Sequence, residues 1–440
     1  MNSDNLVRFA GHLYRSFWDP MPTNKHNDAI WCLGQRYDSH PELLPVEATQ
    51  PQSPPAPPTS STTPSTTPST SDTARPAPTT VPQQEDEFET IQAKEAINDN
   101  GWPPAFLDDL ESRIWLTYRS EFPQIAKSTN PDAASGLSFR TRLLQLGNSG
   151  GFTSDSGWGC MIRTGQSLLA NTLQILELGR DWRKGEQTDT ERGLLSLFAD
   201  DPSAPFSIHR FVEHGAKACG KHPGQWFGPS AAARCIQALV DSHPPSGLRV
   251  YIRPDDSNVY QDSFMGVARD KHGSFQPTLI LLGTMLGISG VTPSYREGIK
   301  AALRLPQSVG IAGGRPASSH YFIGTQADHL FYLDPHTTRP LLPSSPSEAD
   351  IATCHTRRLH LIPLEGMDPS MLLGFLIRDE VDWNNWKAAI QSPPPTGTKS
   401  IVHIYDTEPS LGGGATDADY ERAIAEVQSC DEDEEEEAII

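Results

Sequence analysis

The sequence predicts an α+β fold, and three observations carry that expectation. Helical and strand signals are both present but do not alternate strictly, which disfavours a doubly wound sheet. The longest apolar run, Pro277 to Pro293, is broken by Gly283, Thr284, Gly287 and Gly290. It is too short and interrupted to span a bilayer, and reads as a buried strand, Leu279 to Leu282, followed by a loop. Finally, a turn of Asp155, Ser156 and Gly157 feeds Cys160 into a helix, where Ile162, Leu168, Leu169, Leu173 and Leu176 recur at helical spacing.

The elements follow in order. Ala29 to Gly34 reads as a strand, and Leu107, Leu110, Ile114 and Tyr118 fall on one face of a helix. A helix from Ser230 to Val240 follows the Gly228-Pro229 turn, and another runs from Ser294 to Leu303. Ser319 to Gly324 and His329 to Leu333 alternate like two strands joined at Gln326-Ala-Asp328. A strand from Leu372 to Ile377 precedes a helix from Glu380 to Ile390.

Composition bounds the rest. The chain has 440 residues, a net charge of −20 and 36% hydrophobic residues, so part of it is expected to be disordered. Residues 48–84 are almost entirely Pro, Ser, Thr, Gln and Ala, a composition unable to offset its ordering entropy. The expected division is residues 1–44 as the first part of the folded domain, 45–97 as a disordered insertion, 98–405 as the main domain, and 406–440 as a disordered acidic tail. The six cysteines form no CxxC pair and suit a reducing compartment. The opening residues carry no signal-peptide pattern. Net acidity disfavours nucleic acid as a partner. No cofactor and no metal is expected; Cys354, His355 and His360 lack the second ligand pair that zinc sites use.

A cysteine at a helix start meets outward-pointing N–H groups, which favour thiolate over thiol. Such a nucleophile needs a base, and the base an orienter. Among fourteen histidines, His336 stands two residues from Asp334 at the end of an apolar strand, with Pro335 fixing the backbone between them. The Cys160 N–H offers one oxyanion donor, and the Tyr118 hydroxyl is a candidate for the second. Gly147-Asn-Ser149-Gly-Gly151 fits a serine-elbow pattern, but no helix follows directly.

Three motifs in order, Gly157-Trp-Gly-Cys160-Met, Gly224-Gln-Trp226-Phe-Gly-Pro229 and Tyr332-Leu-Asp334-Pro-His336-Thr-Thr338, resemble the autophagy-related cysteine proteases. Pro306 to Pro316 matches as well. The resemblance covers residues 29–40 and 100–390. It implies a papain-like fold with a small inserted subdomain. It implies Cys160 as nucleophile, His336 as base, Asp334 as orienter and Tyr118 as oxyanion donor. Trp226 would cover the nucleophile, and a loop of Gly313, Gly314, Arg315 and Pro316 would close the cleft until substrate lifts it. The implied partner is a ubiquitin-like autophagy modifier, as precursor and as the lipid-conjugated form on the autophagosomal membrane. A monomeric, cytoplasmic enzyme recruited to those membranes, with the nucleus as a second location, is the matching expectation. Two departures stand out. Thr284-Met285-Leu286-Gly287 lacks the family's arginine, and the tail Glu437-Ala-Ile-Ile440 lacks an aromatic modifier-binding motif. Phe88 and Ile91, in Glu85-Asp-Glu-Phe88-Glu-Thr-Ile91, are a substitute that could seat two side chains from an added strand. A non-catalytic modifier-binding adaptor and a general ubiquitin-type thiol protease remain as alternatives.

Overall fold

The computed structural model describes residues 21–39, 99–130, 150–315 and 318–409, with 133, 137 and 141 besides. The Pro/Ser/Thr-rich stretch, Phe88, Ile91, Ser149, Pro316 and residues 410–440 of the acidic tail lie outside the described residues.

Among the described residues the first elements are β1 (Ile30–Cys32) and β2 (Gln35–Tyr37), then α1 (Pro104–Glu111), β3 (Arg119–Ala126) and β4 (Gly151–Ser154). Next come α2 (Cys160–Leu178), α3 (Thr188–Ser196), α4 (Ile208–Ala218) and α5 (Pro229–Asp241). The second half holds β5 (Arg249–Arg253), β6 (Asn258–Tyr260), α6 (Gln261–Ala268), β7 (Thr278–Met285), α7 (Arg296–Arg304), β8 (Ser308–Arg315), β9 (Ser318–Gln326) and β10 (His329–Leu333). It closes with β11 (Arg339–Pro340), α8 (Glu348–Ala352), β12 (His360–Pro363), β13 (Ser370–Ile377), α9 (Glu380–Gln391) and β14 (His403–Tyr405).

The main sheet runs β12-β10-β9-β8-β13-β7-β5, with β1 joined to β9 and β2 to β1. Its pairs are antiparallel except β5 with β7. Because β1 pairs with β9, the segment before the Pro/Ser/Thr-rich stretch shares this sheet. One core layer packs α2 and α5 against the sheet; the other side carries α6, α7 and α9. Small residues permit the close approach. A Cβ on Gly374 of β13 would meet Val309 Cγ2 at 2.8 Å and Leu168 of α2 at 3.1 Å.

The expected helix through Ile114 and Tyr118 is corrected. Helix α1 ends at Glu111, and the chain runs from there into β3 without regular secondary structure. The local periodicity loses because tertiary partners take the backbone groups. Asn171 Oδ1 accepts the Ile114 N–H at 3.0 Å, and Ser167 Oγ accepts that of Leu116 at 3.0 Å. The Trp115 N–H donates to Cys354 O at 2.8 Å, and the Tyr118 N–H to Pro335 O at 2.8 Å. The loop expected at Gly313–Arg315 is also corrected. Those residues complete β8, where Gly313 sits opposite His320 and Gly314 opposite Ser319. Their glycines answer crowding: a Cβ on Gly314 would lie 1.8 Å from Ser318 O.

Asn171 bonds both backbone groups of Ile114, since its Nδ2 donates to the Ile114 carbonyl at 2.8 Å. Asn171→Ala leaves both buried and unpaired, and is expected to cost about 2–4 kcal/mol of unfolding free energy. Urea titration measures it; a loss below about 0.5 kcal/mol would show that these bonds do not hold the segment.

Candidate active site

Cys160 opens α2 and is 2% exposed. The turn before it is built on Asp155, whose carbonyl accepts the N–H groups of Trp158 and Gly159 at 3.2 and 2.9 Å. Gly157 takes φ +88°, the left-handed region that favours glycine. The helix start therefore presents the sulfur to a cleft formed by β9, the β10–β11 connection and the segment before α5.

Asp334 and His336 follow β10. The expected meeting of their side chains occurs, but through a turn rather than strand alternation. Asp334 Oδ1 accepts the His336 backbone N–H at 3.0 Å and its Nδ1–H at 2.5 Å. That assigns the proton to Nδ1 and leaves Nε2 free to serve the sulfur. Trp115 Nε1 donates to Asp334 O at 2.7 Å and fixes the turn from behind.

The His336 imidazole and the Ser319 backbone both favour charge on the Cys160 sulfur. Trp226 Nε1 donates to it at 3.3 Å. Burial works against a charged sulfur, but these donors and the imidazolium charge outweigh it, and the thiol pKa is lowered. Burial also opposes charge on His336; bonds to Asp334 and Cys160 prevail and push its pKa up to about 9. Burial likewise acts on Asp334, yet the His336 bond holds its carboxyl well below the usual range. The three groups thus stabilise one charge pattern: thiolate, imidazolium, carboxylate.

The other expected residues fall as follows. The buried Tyr118 ring meets the His336 ring edge-on at 5.3 Å between centroids. Trp226, partly exposed, lies over the sulfur. Gly313, Gly314 and Arg315 form the β8 side of the hairpin whose β9 side faces the site. Cys354 and His355 are spent elsewhere: Arg119 donates to the Cys354 sulfur at 3.4 Å, and the His355 ring nitrogens lie 2.9 Å from Glu111 O and 2.7 Å from Glu191 Oε1.

Sequence reasoning missed the residues that open β9. Ser318 Oγ lies 3.4 Å from His336 Nε2, and His320 Nε2 lies 3.8 Å from Asp334 Oδ1. His320, Asp334 and His336 have ligand atoms within 4.8 Å of one another, yet Asp334 is already committed to orienting the base. Ser319 acts through its backbone, which no side-chain pattern could have flagged. Arg163 did carry a signal. A cation near a helix start works against the dipole and calls for a buried carboxylate partner.

Comparison with known proteins agrees with this geometry. The Peptidase C54 catalytic domain family matches residues 103–389. The chain is 52% identical to the probable cysteine protease atg4 of Sclerotinia sclerotiorum over 442 residues, covering 99% of this chain and 98% of that one. It is 50% identical to the probable cysteine protease ATG4 of Cryphonectria parasitica, with 96% and 94% covered, and 50% identical to the cysteine protease atg4 of Emericella nidulans, with 89% and 90% covered. A helix-start cysteine beside the His336–Asp334 pair, on a papain-like α+β frame that those relatives match along nearly its whole length, makes the chain a cysteine protease of the peptidase C54 family.

Proposed function

We propose that this protease cleaves after the C-terminal glycine of a ubiquitin-like autophagy modifier. It both matures the precursor and releases the form conjugated to phosphatidylethanolamine. The single observation that carries the reading is the cover on the sulfur. Trp226 Nε1 sits 3.3 Å from Cys160 Sγ, and Cys160 is only 2% exposed. Only an extended tail without side chains at the scissile bond fits under such a cover, and exclusion of this kind gives specificity.

The chemistry is the same for both substrates, because each presents an amide of the same glycine. The Cys160 thiolate attacks the glycine carbonyl. The oxyanion that forms is met by the Cys160 N–H and, in this reading, by the Tyr118 hydroxyl. His336 passes its proton to the leaving nitrogen, which belongs to a peptide in one case and to the lipid headgroup in the other. The resulting thioester is hydrolysed by water that His336 deprotonates. Gating by Trp226 and by Gly313, Gly314, Arg315 and Pro316 belongs to the same proposal. So does transient work at the autophagosomal membrane, reached through the lipid-linked substrate, by a monomeric cytoplasmic enzyme. Phe88 and Ile91 would supply an added contact to the modifier.

Mass spectrometry of the modifier precursor before and after incubation tests the reading. A product ending in glycine, lost in Cys160→Ser with the fold intact, is expected. A Cys160→Ser protein that still cuts, or turnover of a ubiquitin-derived reporter, overturns it. The pH profile of kcat/KM should fall on the alkaline side near 9, where His336 loses its proton. On the acid side it should fall only below the ordinary thiol range, where the thiolate is protonated. Asp334→Asn removes support for the imidazolium, so the alkaline limb should move to lower pH; an unmoved limb would deny Asp334 that role. Titrating the modifier with a peptide of residues 84–94 checks Phe88 and Ile91, and absence of binding at roughly a millimolar ends that part of the proposal.

A further inference from the structure

The two oxyanion donors come from distant parts of the chain. Cys160 opens α2, and Tyr118 ends the segment before β3. One residue bonds to the neighbours of both. The Asp155 carbonyl accepts the N–H of Gly159, just before Cys160, at 2.9 Å. The Asp155 carboxylate accepts the N–H of Arg119, just after Tyr118, through Oδ1 at 2.7 Å. The Asp155 N–H in turn reaches Arg119 O at 3.3 Å.

The second carboxylate oxygen is clamped as well. Arg163 Nε donates to Asp155 Oδ2 at 2.7 Å, and Arg163 Nη1 reaches Asp200 Oδ1 at 2.8 Å. Asp200 Oδ2 accepts the Leu342 N–H at 2.8 Å, which anchors the chain of charges to another loop. All three charged side chains are at most 1% exposed. The fit leaves no slack at Gly159, where a Cβ would stand 2.5 Å from Asp155 Oδ2 and 2.6 Å from Asp155 Cβ. None of these groups touches the sulfur or the imidazole in the bonds above. A buried ion pair is weak grounds for stability, since an apolar replacement often does as well. A gauge between two donors is a different requirement, because oxyanion stabilisation decays sharply when a donor moves.

We infer that Asp155, clamped by Arg163, is a positioning residue that sets the spacing of the Cys160 N–H and the Tyr118 hydroxyl around the oxyanion. The inference rests on the reading of Tyr118 as an oxyanion donor. Asp155→Asn keeps the volume but turns an NH2 group toward either the Arg119 N–H or the Arg163 guanidinium. One donor then faces another, and the turn must shift relative to β3.

The test is a double-mutant cycle on the full chain with Asp155→Asn and Tyr118→Phe, thermal unfolding being followed in parallel. Asp155→Asn should lower kcat roughly 10- to 100-fold with KM little changed, within the range for a misplaced oxyanion donor. Affinity for a peptide aldehyde ending in glycinal, whose adduct with Cys160 places an oxygen in the same site, should fall by a similar factor. Alkylation of Cys160 by iodoacetamide forms no oxyanion, so its rate and pH dependence should stay as in the unmodified protein. The double variant should be no slower than Tyr118→Phe alone. Losses that multiply, or an alkylation rate that falls with kcat, overturn the inference and leave Asp155 as a prop for the fold or the nucleophile. A harmless Tyr118→Phe sinks the oxyanion reading of that tyrosine, and the inference with it; a damaging Tyr118→Phe with multiplying losses sinks the inference alone. Should Asp155→Asn not fold, Arg163→Lys goes through the same cycle. It keeps a cation but loses the fork that grips both carboxylates, and non-additivity with Tyr118→Phe remains the expected result.

Discussion

Helix α2 is buried on nearly every side, and its polar residues are what the site depends on. Arg163, Thr164, Gln166, Ser167, Asn171 and Gln174 are all buried, and each spends its polar group on a neighbouring segment. Gln174 Nε2 donates to Ser112 O at 2.7 Å, Gln166 Nε2 to Phe206 O at 2.7 Å, and Thr164 Oγ1 lies 2.8 Å from Ser319 Oγ. A buried polar group left unpaired costs about 1–3 kcal/mol, so each of these contacts is demanded by the helix as much as by its partner. The helix thereby stands in for a sheet. It supplies hydrogen bonds to irregular backbone that no regular ladder could reach, and that backbone carries Tyr118 and leads to the catalytic cleft. The nucleophile sits at the end of the same helix, so whatever positions the neighbouring segments is registered against the sulfur.

The charge pattern at the cleft is equally interdependent. Burial opposes ionisation of Cys160, His336 and Asp334 alike, and each is pushed toward its charged form by its partners in the set. Stabilisation has a cost in reactivity. A thiolate of lowered pKa is better populated but a weaker nucleophile. Groups that favour charge on the resting sulfur, Trp226 Nε1 and the Ser319 backbone, favour the ground state and not the transition state unless they move or are reused.

Much of this was legible before any coordinates. Cys160 at a helix start and His336 beside Asp334 were readable because both are local patterns, set by a turn and by adjacent residues. Tyr118 was placed on a helix because Leu107, Leu110 and Ile114 do repeat at helical spacing, but periodicity cannot see that Asn171 and Ser167 will take the backbone instead. The resemblance implies a loop at Gly313 and Gly314; in β8 they mark a strand too crowded for a side chain. The polar stripe of α2 resembles a solvated face. Its burial follows from partners scattered from Ser112 to Ser319, and no window of sequence contains them.

The opening of β9 shows how strand geometry can couple these parts. Side chains alternate along a strand, so Ser318 and His320 share one face and Ser319 takes the other. Ser318 Oγ reaches toward His336 Nε2 at 3.4 Å, and His320 Nε2 stands 3.8 Å from Asp334 Oδ1. The Ser319 hydroxyl turns to α2, with Met161 Sδ at 3.2 Å, while its backbone favours charge on the Cys160 sulfur. Three consecutive residues thus approach all three members of the catalytic set, and each uses a different group to do so. The Ser319 side chain also meets Thr164, on the helix that carries the nucleophile, at 2.8 Å, so strand and helix are registered against each other beside the sulfur.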